Sequence, residues 1–118
     1  MADTEMREPT LFILASLAGG QKHGYAMIND VAALSDGRVR LKVATLYAAL
    51  DRLGTQGLVA PAGEESVDGR LRRYYALTEP GSDALERELQ RIEANARQLR
   101  SRLQARPASM RAALGGIA

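Results

Sequence analysis

Three arginines within four residues form the densest cluster of chemically active side chains in this 118-residue chain. They are Arg70, Arg72 and Arg73, and guanidinium groups bind phosphate through paired N–H donors. In an alternating strand, Arg70 and Arg72 lie on one face, whereas Arg73 lies on the other, where Glu64 or Glu65 can pair with it. The cluster therefore offers phosphate binding, although charges that protect an edge strand from aggregation would look the same.

The segment before this strand has the pattern of an amphipathic helix over residues 43–56. Its apolar residues recur at positions i, i+3, i+4 and i+7, which predicts that they face the core. Small, hydroxyl-bearing or basic side chains occupy the opposite face, and such a face suits the major groove of DNA. The core-facing residues are Leu46, Ala49, Leu50 and Leu53, and the outward residues are Lys42, Ala44, Thr45, Tyr47, Ala48, Asp51 and Arg52.

The outward residues predict different contacts with DNA. Ala44 and Ala48 are small enough for close approach, and Thr45 offers a hydroxyl to a phosphate or base and a methyl to thymine. Arg52 is two turns along the helix, which favours contact with phosphate over contact with a base. Two interpretations stay open for Tyr47, namely a long polar reach into the groove or a half-buried ring against the following hairpin.

A further candidate is the tripeptide His23-Gly24-Tyr25 at the start of the preceding predicted helix. The free N–H groups of a helix N-terminus bind phosphate, and the hydroxyl of Tyr25 can add a donor to the same phosphate. The alternative is that His23 caps the helix and Tyr25 packs against its neighbours. Tyr25 is therefore a DNA-binding candidate, and His23 is a weaker one.

The composition excludes several other classes of function. The chain has no Cys and one His, which leaves no thiolate site and no basis for a protein-only transition-metal site. No carboxylate pair, nucleophile–base set or phosphate-cradling loop indicates an enzyme, and no cofactor is predicted. No stretch approaches the roughly 20 apolar residues of a membrane span, and the polar N-terminus does not resemble a signal peptide. We therefore expect a cytoplasmic protein without a membrane partner.

The positions of glycine and proline, together with the apolar pattern, predict the helices and strands that must position these residues. One helix is predicted from Pro9 to Ala18 and a second from about His23 to Leu34. Residues 38–41 alternate, which predicts a short third strand beside a hairpin over residues 58–77 whose tip is the loop 62–69. The predicted fold is mainly α with a small β-hairpin wing (α+β), a winged helix-turn-helix domain over residues 1–78.

The last helix, predicted over residues 79–106 with Thr78 as its N-cap, carries a narrow apolar seam. The seam residues are spaced 4, 3, 4, 3 and 4 apart, as in the a and d positions of a coiled coil. Packing against its own domain is one use of such a seam, but its regularity favours self-association with a second copy. Residues 107–118 consist mainly of small residues without a helix or strand pattern, which predicts a disordered tail. The predicted dimerisation residues are Leu85, Leu89, Ile92, Ala96, Leu99 and Leu103.

Taken in order, these segments resemble the PadR-type bacterial transcriptional regulators. The matching parts are EPTLFILASLAGGQKHGYAM, TLYAALDRLGTQGLV and DGRLRRYYALTEPG, which together cover about residues 7–90. The resemblance implies a winged-helix domain, a C-terminal dimerisation helix and operator binding, usually as a repressor. It maps the recognition helix to residues 43–56 and includes Tyr25, Tyr47, Tyr74 and Tyr75. This chain departs from the family where Ala44 and Ala48 replace the frequent Gly and Pro.

The function that these patterns predict is sequence-specific binding of double-stranded operator DNA by a homodimer. A two-fold dimer predicts a pseudo-palindromic operator. The resemblance also implies that a small-molecule effector can bind at the dimer interface, although with no Trp and one Phe the stacking partners would be tyrosines. The alternative is a winged-helix adaptor that dimerises through its last helix and docks a protein, because fold does not determine function.

Overall fold

The computed structural model describes residues 6–110 and contains four long helices and a three-stranded antiparallel sheet in that range. Helix α1 is followed by a two-residue strand, two further helices, a hairpin and a long last helix. The elements in chain order are α1 Glu8–Ala18, β1 Lys22–His23, α2 Gly24–Leu34, α3 Val43–Thr55, β2 Val59–Val67, β3 Arg70–Leu77 and α4 Glu79–Gln104.

Local sequence explains where the helices begin and end. Pro9 stands at the start of α1, where its missing N–H costs nothing. His23 caps α2, since its Nδ1 accepts the backbone N–H of Ala26 at 3.3 Å. Helix α3 ends at Thr55, and the φ of 78° at the following Gly57 allows the N–H of Leu58 to reach the carbonyl of Leu53 at 2.9 Å. Each predicted helix is confirmed to within about two residues.

The sheet differs from the prediction in two respects. Residues 38–41 form no strand, and the third strand is instead β1, in which Lys22 pairs with Tyr75 and His23 with Tyr74. Strand β2 continues to Val67, so the predicted 62–69 loop is wrong. The hairpin closes through two residues, Asp68 and Gly69, whose φ values of 51° and 76° suit a tight primed turn. The irregularity within the predicted loop is a bulge between Pro61 and Glu64.

The core gathers one face of each of the first three helices. Leu46, Ala49, Leu50 and Leu53 of α3 are all buried, as their spacing predicts. Ile13 and Leu14 of α1 are fully buried in the same cluster, which also contains residues of α2 and the hairpin. Burying a leucine or isoleucine side chain contributes about 1.5–3 kcal/mol, so this cluster holds the outward face of α3 in place.

Helix α4 begins against the end of α3. Thr78 caps it, accepting the N–H of Gly81 at 3.0 Å, and also donates its hydroxyl to the carbonyl of Gly57 at 2.6 Å. The carbonyl of Leu58 accepts the N–H of Thr78 and lies against Gly81, where any Cβ would overlap it. A glycine is therefore required at the third residue of α4.

The chain divides into two compact units within α4, one ending at Glu88 and the other beginning at Leu89. Residues 108–110 are helical, and the remainder of the predicted tail, 111–118, lies outside the described residues. None of the helices in the described part of the chain has the length and apolar character that a membrane span requires.

Candidate nucleic-acid interface

The first two turns of α3 present small side chains to solvent. Ala44, Thr45 and Ala48 are exposed, as are Lys42 at the N-cap and Asp51 one turn further on. These positions lie opposite the buried leucines of the same helix. A helix of about 10–12 Å diameter fits the major groove, which is about 12 Å wide, so an outward face of small residues allows close contact with base edges.

A cavity of about 290 Å³ separates the starts of α2 and α3 from the wing strand β3. Tyr25 of α2, Val43 and Tyr47 of α3, and Arg70 and Arg72 of β3 all line it. Tyr25 is 70% exposed, which leaves its hydroxyl free to meet a ligand from solvent. The structure therefore brings four predicted residues, Tyr25, Tyr47, Arg70 and Arg72, to one concave surface.

The ring of Tyr47 is half-buried on the inner side of this cavity. It lies against Gly24 and is tilted by 60° to the ring of Tyr75, with 6.4 Å between centroids. Within residues 6–110 its hydroxyl has no hydrogen-bond partner. Of the two interpretations left open, the geometry matches a ring packed between α2 and the hairpin, with its hydroxyl at the cavity wall.

The wing arginines have separate surroundings. Arg73 pairs with Glu64 across the hairpin at 3.9 Å, as its position in the strand predicts. Arg70 and Arg72 are exposed and form no salt bridge among the described residues, although Arg72 interacts with the hydroxyl of Tyr74. Both guanidinium groups therefore keep N–H donors for an external anion on the side of the hairpin that faces α2.

Two tyrosines of the wing strand have raised pKa values. The hydroxyl of Tyr74 donates to Oε1 of Glu65 at 2.8 Å, and this hydrogen bond to a carboxylate raises the pKa of Tyr74. Burial raises the pKa of Tyr75. The ring of Tyr74 also meets the ring of His23 edge-on, with 5.5 Å between centroids. These contacts fix β3 against the start of α2 and hold the strand that carries Arg70 and Arg72.

The opposite side of α3 faces the start of α1. The loop of residues 38–42 lies there, and Thr45, Arg40 and Lys42 line a second, open depression with Glu8. Arg38 is not free, because both carboxylate oxygens of Glu8 accept from its Nη1, at 3.0 and 2.9 Å. This pairing with Glu8 raises the pKa of Arg38. Arg40 and Lys42 remain the exposed cations beside Thr45.

Arg52 does not line the cavity that contains the wing arginines. Its Nη2 donates to the hydroxyl of Thr10 in α1 at 2.9 Å, and it lines a separate cleft with Arg7 and Arg87. It points to the side of α3 that lies away from β3. A contact between Arg52 and DNA would therefore involve a different part of the backbone from the contacts of Arg70 and Arg72.

Exposed apolar residues at the interface escaped the prediction. Val43 is 56% exposed and lines the cavity beside Tyr25, and Leu71 is 58% exposed between Arg70 and Arg72. The sequence pattern predicts Val43 only as the start of a helix, although an apolar residue at the first helical position, outside the buried stripe, is a signal that identifies an exposed contact residue. A valine methyl there suits contact with a thymine methyl.

The seam on α4 is mostly exposed within the described chain. Leu85 is buried at 9% exposure, whereas Leu89 and Ile92 are 41% and 38% exposed. Leu99 and Leu103 are 71% and 55% exposed, and Ala96 is also exposed. Exposed contiguous apolar side chains of this kind mark interaction surfaces in soluble proteins.

The three helices, the hairpin and the outward face of α3 define a winged helix-turn-helix protein. Its sequence also identifies the protein family within this class. Residues 13–87 match the model of the Transcriptional regulator PadR-like family. The chain belongs to this family of transcriptional regulators, as its motifs predict.

Two relatives among curated proteins have similar sequences. Transcriptional regulator Rv3488 of Mycobacterium tuberculosis is 35% identical over 89 residues, which cover 75% of this chain and 79% of the relative. An uncharacterized 37.1 kDa protein in transposon TN4556 of Streptomyces fradiae is 40% identical over 78 residues, or 66% of this chain. The aligned part spans only 21% of that longer protein, so the two share one segment.

Solved structures share the fold. A PadR family transcription regulator from Clostridium difficile superposes with a TM-score of 0.66 at 26% identity, covering 80% of this chain and 96% of the other. Bacillus subtilis PadR, solved in complex with operator DNA, has a TM-score of 0.63 at 23% identity, covering 71% of this chain and 48% of that one. The latter likeness concerns the fold alone.

Proposed function

We propose that this chain binds operator DNA with α3 in the major groove and the hairpin 58–77 as a wing against the backbone. The observation that carries the proposal is the surface described above, where the outward face of α3, with its small side chains, adjoins an exposed tyrosine and two wing arginines that form no salt bridge among the described residues. A regulator must approach base edges closely and hold phosphates on either side, and this surface offers both.

Base contacts fall to the first two turns of α3. Ala44 and Ala48 let the helix axis approach the groove, and Thr45 offers a hydroxyl and a methyl. Val43 adds a second methyl-bearing side chain on the wing side. Asp51 is exposed on the same face and forms no ion pair among the described residues, so a cytosine amino group is a suitable partner for it.

Phosphate contacts fall on both sides of α3. Tyr25, Arg70 and Arg72 surround the cavity beside the N-terminus of α2 and suit the phosphates of one DNA strand. Lys42, with Arg40, suits the other strand from the loop before α3. Arg52 contributes at most a distant phosphate contact, since its guanidinium group is turned towards Thr10.

The proposed DNA-binding unit is a homodimer. Leu89, Ile92, Leu99 and Leu103 leave a seam exposed over four turns of α4, and a second copy supplies a seam of matching spacing. A two-fold axis then presents two α3 helices to half-sites about 34–36 Å apart, and the operator is pseudo-palindromic. Such a dimer blocks access to the promoter, so the protein acts as a repressor. A small-molecule effector that binds at the dimer interface releases it from the operator. Its location is the cytoplasm.

A binding titration tests the proposal. The protein is titrated with DNA from upstream of its own gene and with scrambled DNA at two salt concentrations. We expect the upstream DNA to bind about a thousandfold more tightly than the scrambled DNA, since specific complexes exceed non-specific ones by at least that ratio. Equal and steeply salt-dependent binding to both DNAs would show non-specific attraction to a basic surface and would contradict operator recognition. A distinct protein captured through residues 82–104, with no DNA affinity at moderate salt, would support the adaptor instead.

A further inference from the structure

The outward face of α3 has a central stripe that carries a single ionisable side chain. Positions i, i+4, i+7 and i+11 line up along a helix of 3.6 residues per turn. In α3 these positions are all exposed and lie opposite the buried leucines, so they point most directly at the floor of a groove. We call them the central stripe, and its residues are Ala44, Ala48, Asp51 and Thr55.

The carboxylate of Asp51 has no basic partner on its own helix. A helical residue pairs most readily with the side chains three and four positions away, and around Asp51 none of these is basic. They are Tyr47, Ala48, Gly54 and Thr55. The adjacent Arg52 is turned towards α1, where its Nη2 donates to the hydroxyl of Thr10. No salt bridge within residues 6–110 includes Asp51, so the central stripe presents a negative charge that none of them neutralises.

A carboxylate at this position opposes the attraction between the rest of the surface and DNA. The affinity of a protein for DNA of any sequence comes mainly from cations that neutralise phosphates. Asp51 carries the opposite charge on the face that also presents Lys42. It therefore lowers the affinity for every sequence in which no hydrogen-bond donor of the groove meets it.

The donors of the major groove are the amino groups of cytosine and adenine. The N6 amino group of adenine lies between two acceptors, N7 of the same base and O4 of the paired thymine. The N4 amino group of cytosine has an acceptor on one side only, which is O6 of the paired guanine. Because acceptors repel a carboxylate, cytosine is the base that suits Asp51 best, whereas guanine and thymine offer it no donor.

We propose that Asp51 determines which operator this protein binds, because it selects a cytosine in each half-site and rejects guanine or thymine at that position. This inference rests on the proposed function, in which α3 lies in the major groove. Asp51 is seven residues beyond Ala44, or about 10.5 Å at 1.5 Å per residue. At about 3.4 Å per base step, the cytosine lies about three base pairs from the pair that Ala44 approaches. Specificity then comes both from the hydrogen bond in the correct complex and from repulsion in the others.

Selection of bound duplexes from a random DNA library tests the base that Asp51 selects. The original protein should enrich a pseudo-palindrome with this cytosine in each half-site. Asp51→Asn should enrich adenine at the same position, because an asparagine amide pairs with N6 and N7 of adenine. Asp51→Ala should show no preference there, while the rest of the half-site stays the same.

Fluorescence anisotropy then measures affinity for three duplexes at one salt concentration. They are the selected duplex, the same duplex with the cytosine changed to thymine in both half-sites, and scrambled DNA. The change to thymine should weaken binding of the original protein at least about tenfold and binding of Asp51→Ala less than about threefold. Asp51→Asn should bind scrambled DNA at least about threefold more tightly than the original protein does, because it lacks the repelling charge.

Asp83→Asn is the matched control, since it makes the same change at an exposed residue of α4, away from the outward face of α3. It should match the original protein in every measurement. Circular dichroism checks that all three variants are folded.

The outcomes that overturn the inference differ from those that overturn the proposed function. If the original protein and both Asp51 variants enrich the same sequence, Asp51 does not determine specificity, and operator binding still stands. If the variants bind every duplex more tightly by the same factor, Asp51 repels phosphate and selects no base. If the original protein enriches no sequence at all, both this inference and the proposed function are wrong.

Discussion

The hydroxyl oxygen of Tyr47 lies 2.6 Å from the point where a side chain on Gly24 would begin. Gly24 is the first residue of α2, and the ring carbon that carries the hydroxyl would lie only 3.1 Å from the same Cβ. Real Cβ atoms do not approach a neighbour so closely. The absence of a side chain at Gly24 therefore lets α3 and its tyrosine pack beside the N-terminus of α2, where the cavity for Tyr25 and the wing arginines opens.

Replacing Gly24 with alanine tests this packing. Gly24→Ala is expected to lower the free energy of unfolding by about 1–3 kcal/mol, because Tyr47 must move to relieve the overlap. Helix propensity alone predicts the opposite sign, a gain of about 0.5–1 kcal/mol. Urea unfolding followed by circular dichroism measures the difference. Gly54→Ala is the matched control, because its Cβ would meet nothing closer than 4.0 Å and the gain from propensity should appear.

A second close approach fixes the start of α4. A Cβ on Gly81 would overlap the carbonyl oxygen of Leu58, which is backbone and already accepts the N–H of Thr78. We expect Gly81→Ala to destabilise the protein by about 2–4 kcal/mol, at the upper end for single substitutions. Thermal unfolding gives the value, and Ser82→Ala, at the exposed neighbouring position, should stay within about 0.5 kcal/mol of the original protein. Equal stability of the two variants would show that α4 can shift away from Leu58 without cost.

The sequence was most informative where burial repeats with a helical period. Leu46, Ala49, Leu50 and Leu53 were predictable as the inner face of α3, and the outward face followed from them. Thr78 was predictable as a cap, and Arg73 as a partner for an acid across the hairpin.

The features that could not be predicted from the sequence depend on tertiary contacts. Strand β1 has two residues, too few for any alternation, and exists only because Tyr74 and Tyr75 lie beside it. Residues 38–41 do alternate, but Val39 is buried by the helices around it and its N–H is taken by the hydroxyl of Ser35, so no strand forms. The direction of Arg52 was also not accessible, since its partner Thr10 is 42 residues away.

The wing arginines carry the next prediction, which rests on the proposed function. Arg70→Ala combined with Arg72→Ala should weaken operator binding at least about tenfold and reduce the slope of log K against log salt by about 3.6, because the dimer loses two phosphate contacts in each subunit and each lost contact removes about 0.9. Fluorescence anisotropy at several salt concentrations measures both quantities. Arg97→Ala with Arg100→Ala makes the same charge change on α4 and serves as the control. An unchanged slope in the wing variant would remove the wing from the DNA interface.

The contact between Tyr74 and Glu65 predicts a pH dependence. The pKa of Tyr74 is raised in the folded protein above its ordinary value of 10.0, so the folded state holds this proton more tightly than the unfolded state. Its stabilising contribution is therefore complete below about pH 10 and is lost as the pH rises through the higher folded value. An NMR titration of the Tyr74 ring should give a lower midpoint in Glu65→Gln than in the original protein. Identical midpoints would mean that the hydrogen bond does not form in solution.

The exposed seam of α4 gives the last prediction. Leu99 and Leu103 are 71% and 55% exposed, and in the proposed homodimer they become buried against a second copy. Leu99→Glu with Leu103→Glu would place charges in that interface, and burial of unpaired charge is costly, so the dimer dissociation constant should rise about a hundredfold or more. Sedimentation equilibrium measures it. Leu34→Glu, at a leucine of α2 that is 49% exposed, introduces the same chemistry elsewhere and should leave the dimer intact. If the doubly substituted protein stays dimeric, the seam is not the dimer interface, and a partner of another kind must cover it.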